Sequence, residues 1–133
     1  MDSAQIYRLA GRALIQSENN GVIKSIEELL NCIYKSTDED TSTLCDDVVT
    51  ACIRSCKTPE LIEPLIQLLS SSINKIDAYI LNGKLKLAYL LAISLNRSAD
   101  VTRVLEAATR TEQTQIKNIC ERWLSQKRKS SIN

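Results

Sequence analysis

Five cysteines are the residues of this chain best equipped for chemistry: Cys32, Cys45, Cys52, Cys56 and Cys120. A thiolate can attack a carbonyl, hold a metal or exchange with a disulfide. Cys52 and Cys56 stand four apart, a spacing that puts two thiols on one face of a helix. A tetrahedral metal site would need two more ligands, and the sequence contains no His to supply them. An odd number of cysteines without paired spacing argues against a disulfide framework and for a reducing compartment. Each of the five falls within a helical apolar pattern, where free Cys acts as a small hydrophobe. Packing thiols are therefore expected, and no metal ligands.

Carboxylates are the next candidates. Glu27-Glu28 and Asp46-Asp47 are sequential pairs. On a helix such neighbours point about 100° apart rather than converging for acid–base work, so they read as wetted surface. Asp46 and Asp47 also fall in the first turn of an expected helix, where a negative charge suits the helix dipole. Asp38-Glu39-Asp40 lacks the Gly and the closing Glu of a calcium loop. Without His, the commonest general base is missing. Gly11, Gly21 and Gly83 are isolated, so no Gly-rich loop can cradle a phosphate. No catalytic, cofactor-binding or metal-binding residue is assigned, no cofactor is expected, and the chain reads as a non-enzyme. Lys84, Lys86, Arg97 and Arg103 might form a basic edge near Lys75 for nucleic acid. Asp77, Asp100 and Glu106 interrupt it, and aromatics for base stacking are scarce, so a surface laced with salt bridges is the better reading.

The elements that must position these residues are helices. The chain has 133 residues, of which 44% are apolar and 25% charged, with only three Gly and two Pro. Phe is absent and Trp occurs once, so the core must be aliphatic. A net charge of +1 provides no global field toward nucleic acid or an anionic membrane. No run of about 20 apolar residues could span a bilayer, and Met1-Asp2-Ser3 does not begin a signal peptide. A cytoplasmic location is the expectation.

Apolar residues recur at helical spacing throughout. The first helix, Ser3 to Ser17, carries Ile6, Leu9, Ala10, Ala13 and Leu14 on one face, and Asn19-Asn20-Gly21 stops it. Val22, Ile26, Leu29, Leu30, Ile33 and Tyr34 mark the second, followed by a polar loop from Lys35 to Thr43. The third runs from Thr43 to Ser55. Thr58-Pro59-Glu60 starts a fourth, capped by Thr58, in which Pro64 predicts a kink or a delayed start. A short fifth helix carries Ile73, Ile76, Tyr79 and Ile80 and ends at Asn82-Gly83. The sixth spans Lys84 to Asn96, Ser98 caps a seventh, and the eighth runs from Glu112 to Gln126. Trp123 lies on the apolar stripe of the eighth and is expected in the core, against the seventh. The pattern predicts an all-α fold of about eight helices as stacked antiparallel hairpins, α-solenoid-like, with a compact orthogonal bundle as the alternative. Pairs begin about 26 to 40 residues apart, without tetratricopeptide, ankyrin or leucine-rich signatures. Residues 1–126 read as a single helical-repeat domain, and 127–133, with Lys127-Arg128-Lys129, as a polar basic tail.

Asn82-Gly83-Lys84-Leu85-Lys86-Leu87-Ala88-Tyr89-Leu90-Leu91-Ala92, followed by Arg103-Val104-Leu105, resembles the C-terminal end of the spastizin family of large FYVE zinc-finger proteins. Ile116-Lys117-Asn118-Ile119-Cys120-Glu121-Arg122-Trp123-Leu124 is similar to that family's last helix. This resemblance covers about 45 residues, with 1–80 matching only in being helical. It implies the helical-repeat tail of an endosomal and lysosomal trafficking scaffold. Its partners would be spatacsin, the fifth adaptor-protein complex and beclin, with roles in autophagy and cytokinesis and recruitment to endosomes, lysosomes or the midbody. The family's zinc finger needs Cys and His together, so a chain without His does not contain it, and the likeness is to the C-terminal region alone. Apart from the resemblance, the residues leave open a free-standing helical adaptor or a nucleic-acid-binding helical repeat.

Overall fold

Each expected helix carries an apolar stripe that burial can reward, and some end where a residue tolerates left-handed backbone. A computed structural model describes residues 3–17, 21–36 and 41–132. Among these lie α1 (Ser3–Ser17), α2 (Val22–Ser36), α3 (Ser42–Ser55), α4 (Pro59–Gln67), α5 (Ser72–Leu81), α6 (Leu85–Ser94), α7 (Ser98–Arg110) and α8 (Thr114–Ile132), with no strand. The all-α class read from periodicity is the class observed. Asn19-Asn20 and the Asp38-Glu39-Asp40 stretch lie outside the described residues. Packing gathers the chain into two compact units, Met1–Lys75 and Ile76–Asn133.

In the first unit α1 packs on α2 and α3, α2 on α3 and α4, and α3 on α4. Each helix thus meets the next and the next but one, the neighbour pattern of stacked hairpins. Gly11 sets the approach of α1 to α3. A Cβ at that position would stand 2.9 Å from Cys52 Sγ and 3.1 Å from Val48 Cγ1. The buried face of α1 therefore runs through Gly11 and Ile15, while Ile6 and Leu9 of the expected stripe are 53% and 46% exposed. That stripe counts Gly11 as a gap, whereas its missing side chain makes it the contact point.

Helix α3 buries Cys45, Val48, Val49, Cys52 and Ile53, as a helix flanked by three others must. Cys56 does not share its helix face with Cys52. The helix ends at Ser55, and Cys56 is extended, its thiol donating to the Thr58 carbonyl at 3.3 Å. Pro59 opens α4, as its fixed φ favours. Thr58 makes no side-chain cap there; its carbonyl accepts from the Leu61 N–H at 3.0 Å. The helix neither starts late nor stops at Pro64, which lies inside it.

In the second unit α6 packs on α7 and α8, and α7 on α8. Small residues make the contacts close: Ala88 and Ala92 of α6, Val101, Val104 and Ala108 of α7, and Cys120 of α8 are buried. Three successive helices end in the same way. Gly83, Asn96 and Glu112 hold φ values of 72°, 56° and 60°. Their amides donate to Ile80, Ile93 and Thr109, and the following amides reach back to Tyr79, Ala92 and Ala108 at 2.8, 3.0 and 2.9 Å. This is the paired hydrogen bond of the Schellman motif. Glu112 therefore closes α7 rather than opening α8. Arg97, not Ser98, occupies the N-cap of α7, without a side-chain cap bond. Helix α8 continues beyond Gln126 to Ile132, so the basic stretch read as a tail is helical.

Candidate interaction surfaces

Three of the five thiols are placed for packing, and the packing expectation fails at exposed Cys32. Cys45, Cys52 and Cys120 are buried, Cys56 is half-buried and Cys32 is exposed. Burial pushes the Cys120 thiol up to about 11, with help from the Glu121 charge. Burial does the same to Cys52, also about 11; the neighbouring Cys56 adds to the rise, and the Arg12 guanidinium opposes it. Thiols held that high are almost wholly protonated at neutral pH and make poor nucleophiles. Among the described residues no three of His, Cys, Asp and Glu gather as metal ligands.

Asp46 is not the wetted surface carboxylate that its sequence neighbourhood implies. It is 3% exposed. Its Oδ1 accepts from the Ser70 amide at 2.8 Å and the Ser70 hydroxyl at 3.0 Å. Its Oδ2 accepts from the Ser71 amide at 3.0 Å and Asn74 Nδ2 at 2.9 Å. The carboxylate thus fixes the turn between α4 and α5. Burial raises its pKa, but these donors outweigh burial, and the carboxyl lies below its usual range.

Asp100, also 3% exposed, plays the matching part in the second unit. It pairs with Arg97 Nε and accepts from Arg103 Nη1 at 3.1 Å, while the same Nη1 reaches Asp77 Oδ1 at 2.6 Å. Burial pushes the Asp100 carboxyl up, and the two guanidinium groups more than reverse it. Two of the four cations in the candidate nucleic-acid edge are therefore committed to carboxylates.

The arginines of the first unit are in the opposite condition. Arg8 and Arg12 of α1 and Arg54 near the end of α3 line one groove with Asp47, Thr50, Ala51 and Ser55, about 610 Å³ in volume. A smaller depression of about 240 Å³ continues along α1 past Gln5 and Leu9. Among the described residues no ion pair holds any of the three arginines, in contrast to Arg97 and Arg103. Sequence reading passed over these residues, although α1 contains Arg8 and Arg12 one turn apart and no acidic residue. Helix α6 carries an apolar surface in the second unit. Leu85, Ala88 and Ala92 are buried, while Leu87 and Leu90 are 40% and 46% exposed. Trp123 is half-buried, not in the core as expected, with Lys127 Nζ 5.5 Å from its ring centroid.

The described helices thus offer a basic groove in the first unit and an apolar face on α6 in the second. A family of ZFYVE26-like TPR repeats matches residues 2–125. The chain belongs to this family. Its similarity to the zinc finger FYVE domain-containing protein 26 of Mus musculus is 33% identity over 134 aligned positions, covering 93% of this chain and 5% of the relative. The Homo sapiens protein of the same name is 32% identical over 134 positions, and that of Ailuropoda melanoleuca 33% over 129, with the same coverage. The chain spans about a twentieth of the length of these curated relatives. No solved structure matches. The likeness is broader than the 45 residues of the C-terminal resemblance, since it includes most of 1–80. A TPR-type array is present even though the signature residues of tetratricopeptide repeats are absent. Close hairpin packing needs small residues at the seams, which Gly11, Ala88 and Ala92 provide here. Among the described residues no helix is long and apolar enough to cross a membrane.

Proposed function

We propose that this chain is a non-catalytic protein-interaction segment of an endosomal and lysosomal trafficking and autophagy scaffold, corresponding to a C-terminal part of it. The supporting observation is the run of TPR-type repeats across residues 2–125, a helical architecture whose exposed faces serve recognition. Residues 1–126 act as one binding module, and 127–133 as its basic extension. It holds no catalytic, cofactor or metal residue. Partners are spatacsin, the fifth adaptor-protein complex or beclin, met in the cytoplasm and on endosomes, lysosomes or the midbody. The test is reciprocal co-precipitation of the tagged 133-residue chain with each of the three. Enrichment of at least one over an unrelated helical repeat supports the reading. Failure of all three, or recovery dominated by RNA, refutes it.

A further inference from the structure

We propose that the groove between α1 and α3 binds an acidic peptide segment of a protein partner, with Arg8, Arg12 and Arg54 as the residues that hold its carboxylates. The proposal rests on the interaction-module reading above and gives one partner its chemistry.

Arg8 and Arg12 are one helical turn apart on α1, so their side chains emerge on the same face. Arg54 approaches from α3, which the close contact at Gly11 brings alongside. Helix α1 has no acid of its own to neutralise the pair. Among the described residues Asp47 is the one carboxylate lining the groove, so that lining carries three positive charges against one negative. The second unit shows how this chain treats arginines that serve structure: Arg97 and Arg103 are locked onto buried Asp100. Like charges left facing one another oppose the compact state unless something neutralises them. A guanidinium presents a planar fork of donors that matches a carboxylate two bonds at a time. Thr50 and Ser55 add hydroxyls at the wall.

The volume suits a short peptide stretch, being within the range of about 300–1,000 Å³ in which ligands are held. Leu9, 46% exposed, borders the neighbouring depression beside Arg8 and Arg12. It gives an apolar side chain of the same peptide a place to rest. That combination favours an acidic and apolar peptide over nucleic acid or a phosphorylated membrane surface. Nucleic acid would use a longer basic track and aromatic platforms.

The probe is a panel of fluorescein-labelled twelve-residue peptides alternating Glu or Asp with Leu, titrated into the full chain. Arginine Nε–Hε signals are followed by nuclear magnetic resonance. Saturable shifts at Arg8, Arg12 and Arg54, weakening as salt rises, are expected. Arg8→Glu with Arg54→Glu should weaken binding by about tenfold or more, and Lys129→Glu should leave it unchanged. Circular dichroism establishes that the double variant folds, and Arg12→Gln serves if it does not. Absence of saturable shifts with every peptide overturns the proposal. So does equal or stronger binding of inositol phosphates, phosphatidylinositol phosphate vesicles or single-stranded RNA. If wild-type chain captures a partner and the folded double variant captures it equally well, the groove assignment fails while the module reading stands.

Discussion

Asp46 offers the most direct way to test how the first unit is held together. Replacing it with Ala removes one carboxylate and leaves four donors from Ser70, Ser71 and Asn74 to find water or go unmade. A hydrogen bond to a charged group contributes about 1.5–3 kcal/mol net, but four bonds to one carboxylate do not add. Removing the carboxylate leaves neutral donors and no uncompensated charge, so a loss of about 2–4 kcal/mol is expected, rather more than one charged hydrogen bond. A unit of this size has a stability of about 4–11 kcal/mol, so the loss removes from about a fifth to all of it. Asp46→Asn should do little better, since one of its two acceptors becomes an amide donor facing donors. Urea denaturation of each protein, followed by far-ultraviolet circular dichroism, gives the difference. A loss below about 1 kcal/mol for Asp46→Ala would refute the account. Acid provides a second reading of the same carboxylate. The folded pKa of Asp46 lies below its ordinary 3.8, and that of Asp100 does too. The unfolded chain therefore binds the proton more readily, and the contribution of both groups is fully present above that value. It is lost as pH falls through their folded pKa values.

Gly11→Ala should lower stability by about 1–2 kcal/mol despite the better helix propensity of Ala, because the new Cβ meets Cys52 and the stiff side chain of Val48. Combining it with Cys52→Ala should recover part of the loss in a thermal melt, and strict additivity would show that the contact at Gly11 is not the cause. Glu112→Gly should raise stability by about 0.5–1 kcal/mol by relieving left-handed backbone, and a destabilised variant would mean the Glu side chain matters more than its φ. Trp123→Ala should cost about 1–2 kcal/mol, less than a fully buried ring would. Tryptophan emission should accordingly be partly quenched by iodide, and complete protection would place the ring back in the core.

The helices were legible because their signal is periodic and local. Apolar residues of α2 such as Val22, Ile26, Leu30 and Ile33 return every three to four positions, and all four are buried. Helix ends were read well at Gly83, where the residue type itself carries the left-handed preference. They were misread at Glu112, because nothing about a Glu announces a positive φ; the following turn imposes it. Gly11 reads as filler in a pattern that counts apolar side chains. Asp46 escaped for a different reason: its partners are at positions 70, 71 and 74, and no pattern within one helix contains them. The interaction surface was hidden similarly. Arg8 and Arg12 are visible as a pair in α1, but Arg54 joins them only once α1 lies against α3. The family was recognisable from its last third, where Lys84 to Ala92 and Ile116 to Leu124 preserve familiar spacings.

The reach of Asp46 also dictates an order of assembly. The turns at Gly83, Asn96 and Glu112 close over five residues or fewer, so each can form as soon as its own helix does. The clasp at Asp46 joins residues 24 to 28 positions apart, and the chain must bring α3 and the end of α4 together before any of it is rewarded. The second unit has a latch of similar reach, since Arg103 and Asp77 are 26 positions apart, so each unit joins quick local turns to one late clasp. Once shut, that latch slows opening more than it hastens closing. During synthesis the clasp between α3 and the turn after α4 cannot close until residue 74 is available.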